Sequence, residues 1–146
     1  MGDHVLYIAV DPGRVSGVAV MAHGICKGYE VPARKTGQSV HDFMSGSRKD
    51  VWEVAMERYT ITPGIRSAQP HALMVMGAVE YVCDSQSVTF HYYTPGMGKR
   101  VCDNDLLRRI GWWQPTKDGH ANDAKRILLT HLAVRDPDLF GTITGI

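Results

Sequence analysis

Val5-Leu6-Tyr7-Ile8-Ala9-Val10-Asp11-Pro12-Gly13, followed two residues later by Ser16-Gly17-Val18-Ala19, sets an acidic residue at the end of an apolar run. Val5 to Val10 predicts a strand, and the Asp-Pro-Gly triplet that stops it predicts a turn. Apolar residues resume from Gly17 to Ala22, so the two runs form a β-hairpin. Asp11 is the residue that needs explaining. A carboxylate at the end of a buried strand is costly unless it is paired or binds a cation.

Outward from the hairpin, Ile25 to Val31 reads as a third, more polar strand. Ser39 is placed to cap a short helix through Met44, because Val40, Phe43 and Met44 share a face. Val51 to Tyr59 is β-rich and reads as a strand. Pro70 suits the first position of a helix that runs to about Cys83. That helix is apolar nearly all round, as expected for one that is deeply buried or shared with a partner chain, with Met74 and Val75 as candidate contacts. Val88 to Tyr93 is a strand closed by Thr94-Pro95-Gly96. Asp103 to Ile110 is a short helix with Gly111 as its stop. His120 to Val134 is a helix whose stripe is Ala124, Ile127, Leu128, His131 and Leu132. The order β-β-β-α-β-α-β-α-α is that of a mixed α/β layer fold. No repeat, low-complexity stretch or long linker divides the 146 residues, so residues 1–146 are expected to form one domain.

Two more carboxylates share the oddity of Asp11. Glu57 interrupts the otherwise buried strand Val54-Ala55-Met56-Glu57, and Asp123 lies in the first turn of the 120–134 helix beside its apolar stripe. Each has an ordinary explanation. Asp11 suits a turn, Glu57 an edge strand, and Asp123 the positive end of a helix dipole. All three together point to a shared metal site. Sites in α/β sheets gather at the carboxyl ends of strands. If the strands carrying Asp11 and Glu57 are adjacent and parallel, their carboxylates can share a cation. His120 and Asp123 are spaced i,i+3 on one helical face and close the site from the side. Oxygen ligands with one imidazole suit Mg²⁺, with Mn²⁺ as a substitute. Such a site serves phosphoryl transfer with two ions about 3.5–4 Å apart.

These motifs carry a family resemblance. Ile8-Ala9-Val10-Asp11-Pro12-Gly13 with Ser16-Gly17-Val18-Ala19 resembles the opening motif of RuvC-type Holliday junction resolvases, members of the RNase H-like superfamily. Val54-Ala55-Met56-Glu57 resembles their second acidic strand, and His120-Ala121-Asn122-Asp123-Ala124 their last acidic motif. Gln69 to Tyr93 resembles their middle section, and Lys99, four residues past Pro95, matches a lysine placed near the active site. The match spans about residues 5–134.

The resemblance implies an RNase H-like fold, with a mixed five-stranded sheet and helices on both faces. It implies a homodimer that cuts four-way DNA junctions by two-metal-ion hydrolysis, leaving 5′-phosphate and 3′-hydroxyl ends. Asp11, Glu57, His120 and Asp123 become the candidate metal ligands, and Lys99 joins them as a candidate catalytic residue. Lys99, Arg100, Tyr59 and Arg14 are the candidate DNA contacts. The short chain and the segment from Trp112-Trp113 to His120 are similar to phage-encoded members. The chain departs from the pattern in two places. Many members have a carboxylate where His120 stands, and Cys102-Asp103-Asn104 replaces a glycine-bearing turn.

Other readings stay open. A YqgF-type RNA-processing nuclease also opens with an aspartate and a glycine-rich hairpin. An actin-like phosphotransferase shares Asp-x-Gly after a strand but needs two domains. A catalytically silent DNA-binding module would need a broken acidic set. Tyr59 suits base stacking or sheet packing equally, and Trp112 and Trp113 suit a hydrophobic cluster at a helix end. Asp118 is placed as an N-cap of the last helix. Glu53 and Glu80 compete with Glu57, Glu53 because it falls on the same strand face.

Composition excludes little. Net charge is +1, and the surplus concentrates from Lys99 to Arg126, where seven Lys or Arg face four Asp. From charge alone, a solvated helix surface explains that better than DNA contact does. No apolar run approaches the roughly 20 residues needed to span a bilayer. No signal peptide is evident, and the 3 cysteines show neither zinc nor disulfide spacing. A cytoplasmic protein is expected, in the host cytoplasm if phage-encoded.

Overall fold

Short β-rich runs pair into one mixed sheet. In this computed structural model, which describes residues 5–46, 51–60 and 70–146, the strands are β1 (Val5–Asp11), β2 (Val15–Ala22), β3 (Ile25–Pro32), β4 (Val51–Glu57) and β5 (Thr89–Tyr93). The described helices are α1 (Ala33–Ser45), α2 (Pro70–Ser85), α3 (Met97–Val101), α4 (Asn104–Arg109), α5 (His120–Arg135) and α6 (Pro137–Thr144). The strand order is β3-β2-β1-β4-β5. β1, β2 and β3 form an antiparallel meander, whereas β4 runs parallel to β1 and β5 parallel to β4. Helices cover both faces, as the sequence predicts.

Alternation along the strands sorts two cores. Leu6, Ile8, Val10, Val18, Trp52, Val54 and Met56 pack against α1 and α2. Tyr7, Ala9, Ala19, Met21 and Ala55 pack against α5, together with Leu107, Trp112 and the predicted stripe Ala124, Ile127, Leu128 and Leu132. His131 of that stripe is also buried. Asp11 and Glu57 continue the α5-side alternation, so both belong to the face that α5 covers.

Several boundaries differ from expectation. α1 starts at Ala33, six residues before Ser39, whose hydroxyl donates to the Lys35 carbonyl instead of capping. Gly37 hides the helix in the sequence. There it serves packing, because a Cβ would lie 3.0 Å from Ala78 of α2. β4 ends at Glu57, not Tyr59. α3 and α6 were not anticipated, although Asp136-Pro137 is a readable start for α6: the Asp136 carboxylate accepts from Leu139 N–H. Gly119, at φ 75°, caps α5 in place of Asp118. Val75 is fully buried against the sheet, so it is no interface residue, whereas Leu73, Met74 and Tyr81 lie exposed on the outer face of α2. Trp112 and Trp113 behave as expected: both donate their backbone N–H to Leu107 at the end of α4, and Trp112 is buried.

α5 is enclosed along most of its length, so its polar residues need partners. Lys125 Nζ donates to the Trp112 carbonyl at 2.6 Å. The Asn122 amide bonds both the N–H and the carbonyl of Gln114. Cys26, Cys83 and Cys102 are free thiols. No described helix is long and apolar enough to cross a membrane.

The approach of α5 to the sheet depends on glycine. Gly17 pairs with Asp11, and a Cβ there would fall 1.9 Å from the His120 carbonyl oxygen. Gly28 on β3 makes similar room for Lys125 and Ala121. Gly17→Ala is therefore expected to destabilise the protein by at least about 2 kcal/mol in urea unfolding, because α5 must move off the sheet. Gly77→Ala is the control. Nothing lies within 4 Å of its Cβ position in α2, so it should stabilise by about 0.5–1 kcal/mol. Equal stability of Gly17→Ala and wild type would mean that α5 does not sit this close.

Candidate metal centre

The parallel pairing of β1 and β4 is what brings the first two carboxylates together. Val10 stands beside Met56, so Asp11 and Glu57 leave the sheet at the same level. The first turn of α5 then lies over Gly17, next to Asp11, and delivers His120 and Asp123. One donor atom each from Asp11, His120 and Asp123 fall within 4.8 Å of one another. His120 Nδ1 is 3.9 Å from Asp11 Oδ2.

Glu57 stands outside that close trio but shares a cavity of about 230 Å³ with Asp11, Asp123, Lys99 and Arg126. His120 does not line this cavity. Asp11 and Asp123 thus belong to two groupings, one completed by His120 and the other by Glu57. A larger cleft of about 670 Å³ adjoins the cavity, with Lys99, Asp123 and Arg126 lining both.

The electrostatics fit a place meant for positive charge. Burial, then the Glu57 and Asp123 carboxylates, push the Asp11 carboxyl up to about 8, against the pull of Arg126 and Lys99. Burial and Asp123 also raise Glu57. Acids that repel one another in a partly dry site are the donor set a hard divalent cation relieves.

Glu53, the rival of Glu57 on the same face, sits in the opposite electrostatic setting. Its Oε1 accepts from His131 Nε2 at 2.9 Å and lies 3.5 Å from Arg135 Nε. Tyr93 Oη bonds the other ring nitrogen of His131 at 2.6 Å. Burial, the larger effect, holds the His131 imidazolium form down, although Glu53 favours it. Glu53 is a satisfied core carboxylate. Glu80 is likewise occupied, accepting from the Tyr92 hydroxyl.

The expected DNA contacts are scattered by comparison. Lys99 on α3 reaches the cavity. Arg100 lines a neighbouring depression with Lys99, Asp105 and Arg109. Arg14 is exposed in the β1–β2 turn and Tyr59 is half-buried two residues past β4. Two further cations, Arg126 at the site and Arg58 on the opposite face of the sheet, carry no distinguishing signal in the sequence. Arg58 lies over the Tyr92 ring, 4.4 Å from its centroid. Arg126 pairs with Asp123 at i,i+3, a spacing that ordinary helix-surface pairs share.

No protein-family model matches the chain, and no curated protein matches it. Solved structures do. Thermus thermophilus RuvC in complex with a Holliday junction substrate superimposes with a TM-score of 0.67 at 20% identity, over 88% of this chain and 92% of that one. A second Thermus thermophilus RuvC structure gives a TM-score of 0.61 at 18% identity, over 96% of each chain. The fold is that of RuvC. At this identity the likeness is one of architecture: an RNase H-like mixed sheet of five strands, as the family resemblance implies.

The raised Asp11 carboxyl has a consequence for the metal-free protein. Unfolded, it ionises near 4, whereas folded it ionises at about 8. The folded state holds this proton more tightly, so its stabilising effect is full below about 4 and is lost as pH rises toward about 8. With EDTA present, the stability of Asp11→Asn relative to wild type should rise between pH 4 and pH 8 by roughly 5 kcal/mol, the equivalent of that shift. Urea unfolding at the two pH values measures this. A relative stability that does not change with pH would show that burial and the neighbouring carboxylates do not hold Asp11 protonated.

Proposed function

We propose that this chain is a divalent-metal-dependent endodeoxyribonuclease that resolves branched DNA, four-way junctions in particular, with residues 1–146 acting as one nuclease domain. The observation that carries the reading is the convergence of Asp11, His120 and Asp123 within 4.8 Å, with Glu57 and Lys99 in the adjoining cavity. The RuvC fold supports it, since the RuvC of similar architecture is known with a Holliday junction substrate.

Asp11, Glu57, His120 and Asp123 would hold Mg²⁺, or Mn²⁺ in its place, as two ions per site. Bound ions of this class neutralise phosphate charge and lower the pKa of water. The chain's own residues do the rest. Three carboxylates and an imidazole set the donors, and the start of α5 closes the site from one side. Lys99 stands at the cavity wall to neutralise a phosphate oxygen. Water adds to phosphorus, the bond to the 3′ oxygen breaks, and 5′-phosphate and 3′-hydroxyl ends result. Arg100, Arg14 and Tyr59 are assigned to the flanking DNA, in a cytoplasmic setting.

Cleavage of a synthetic four-way junction, compared with linear duplex and RNA in Mg²⁺, tests the reading. Asp11→Asn, Glu57→Gln and Asp123→Asn should each lower junction cleavage at least about 10²-fold, the scale of losing an electrostatic stabiliser, while junction binding in Ca²⁺ survives. His120→Asp should keep substantial activity and His120→Ala should lose most of it. RNA cut in preference to junctions would favour a YqgF-type nuclease. Junction binding without cleavage would leave a DNA-binding module.

A junction has two-fold symmetry, so a C2 dimer presents two identical sites to opposing strands. Leu73, Met74 and Tyr81, exposed on the outer face of α2, support assigning that helix to the dimer. Wild type should sediment as a dimer at micromolar concentration and Met74→Glu as a monomer. A monomeric wild type would remove the symmetric model.

A further inference from the structure

Arg126 lines the cavity with Asp11, Glu57 and Asp123, and the reading above gives it no task. Its side chain is only 10% exposed, which is unusual for a guanidinium without a dedicated partner. α3 is laid over it closely, since a Cβ on Gly98 would come 3.3 Å from Arg126 Cβ. Its guanidinium donates to Asp123 Oδ1, an oxygen of one of the two residues that both groupings share. The same charge draws the Asp11 carboxyl downward against burial and the neighbouring carboxylates. The chain therefore supplies a fixed positive charge inside its own acidic cluster.

We propose that Arg126 is a resident counter-ion that competes with the divalent cation for Asp123. The inference rests on the metal-centre reading and adds a control to it. With no cation bound, the guanidinium neutralises Asp123 and lets the carboxylates be buried together. A cation entering beside Asp11 and His120 must draw Asp123 away from Arg126, and two positive charges then repel across the cavity. The coupling is reciprocal, so whatever weakens the Arg126 contact strengthens metal binding. The displaced guanidinium remains beside Lys99, where a substrate phosphate is the anion that suits its fork of donors.

Calorimetric titration of Mn²⁺ into wild type, Arg126→Gln and Arg126→Lys without DNA tests this, with junction binding in Ca²⁺ measured alongside. Arg126→Gln should bind Mn²⁺ at least about 5-fold tighter and bind junction more weakly. Arg126→Lys, whose ammonium makes no planar fork, should fall between. If Arg126→Gln does not fold in EDTA, Arg126→Lys carries the same comparison. Mn²⁺ affinity that is unchanged or weaker in the variants overturns the proposal, because Arg126 would then orient Asp123 for the metal rather than contest it. If neither wild type nor variant takes up Mn²⁺, the metal centre itself falls, and this inference with it. Mn²⁺ uptake by Arg126→Gln alone supports the competition in its strongest form.

Discussion

The distance between the first turn of α5 and the β1–β2 hairpin controls the rest of the molecule. The His120 carbonyl occupies space that any side chain at position 17 would fill. Because Gly17 is also the partner of Asp11 across the hairpin, one absent methyl group sets where the helix sits relative to the carboxylate. The imidazole and carboxylate of the helix's first turn then meet Asp11 without any long loop having to be ordered. Gly28 does the same one strand further out, and Asn122 fixes the loop before the helix through both polar groups of Gln114. Rigid elements thus hold the site, as preorganised chemistry requires.

That closeness has an electrostatic cost, and the sheet face under α5 divides accordingly. Toward the middle of β4, Glu53 meets His131, Arg135 and His91, and the His131 ring is hydrogen-bonded at both nitrogens. At the carboxyl ends of β1 and β4, Asp11 and Glu57 meet each other and Asp123, with Lys99 and Arg126 as the opposing charges. Two glutamates four residues apart on one strand face thereby acquire different characters. One is a structural acid locked into a hydrogen-bonded network. The other belongs to an acidic cluster whose repulsion is only partly relieved. Repulsion that Lys99 and Arg126 relieve only in part sets this cluster apart from the rest of the face.

Much of this was legible in the sequence. The apolar run ending at Asp11-Pro12-Gly13, the glycine-bearing second strand and the i,i+3 pair His120 and Asp123 carry local signals, because strand alternation, turn chemistry and helical spacing act over a few residues. They sufficed for the fold class and for the residues that converge. The short helix α3 and the early start of α1 were not readable. Five residues give too little periodicity for the first, and Gly37 breaks the helical pattern of the second for the sake of contact with Ala78. α6 is different, since Asp136-Pro137 is a local start signal that the sequence carries in full.

What the sequence by itself determined, then, is the set of strands, the major helices and the acidic residues out of place on them. Only the tertiary structure decided which glutamate joins the cluster, which face of α2 is left outward, and that Arg126 enters the acidic cavity. Glu53 and Glu57 share one strand face, and the choice between them depends on where β4 ends and on what faces each. Val75 and Met74 are equally apolar neighbours on one helix. Arg126 is one of several basic residues in its region. Each choice depends on which groups a second element, distant in sequence, sets beside the side chain, and neither spacing nor propensity encodes that.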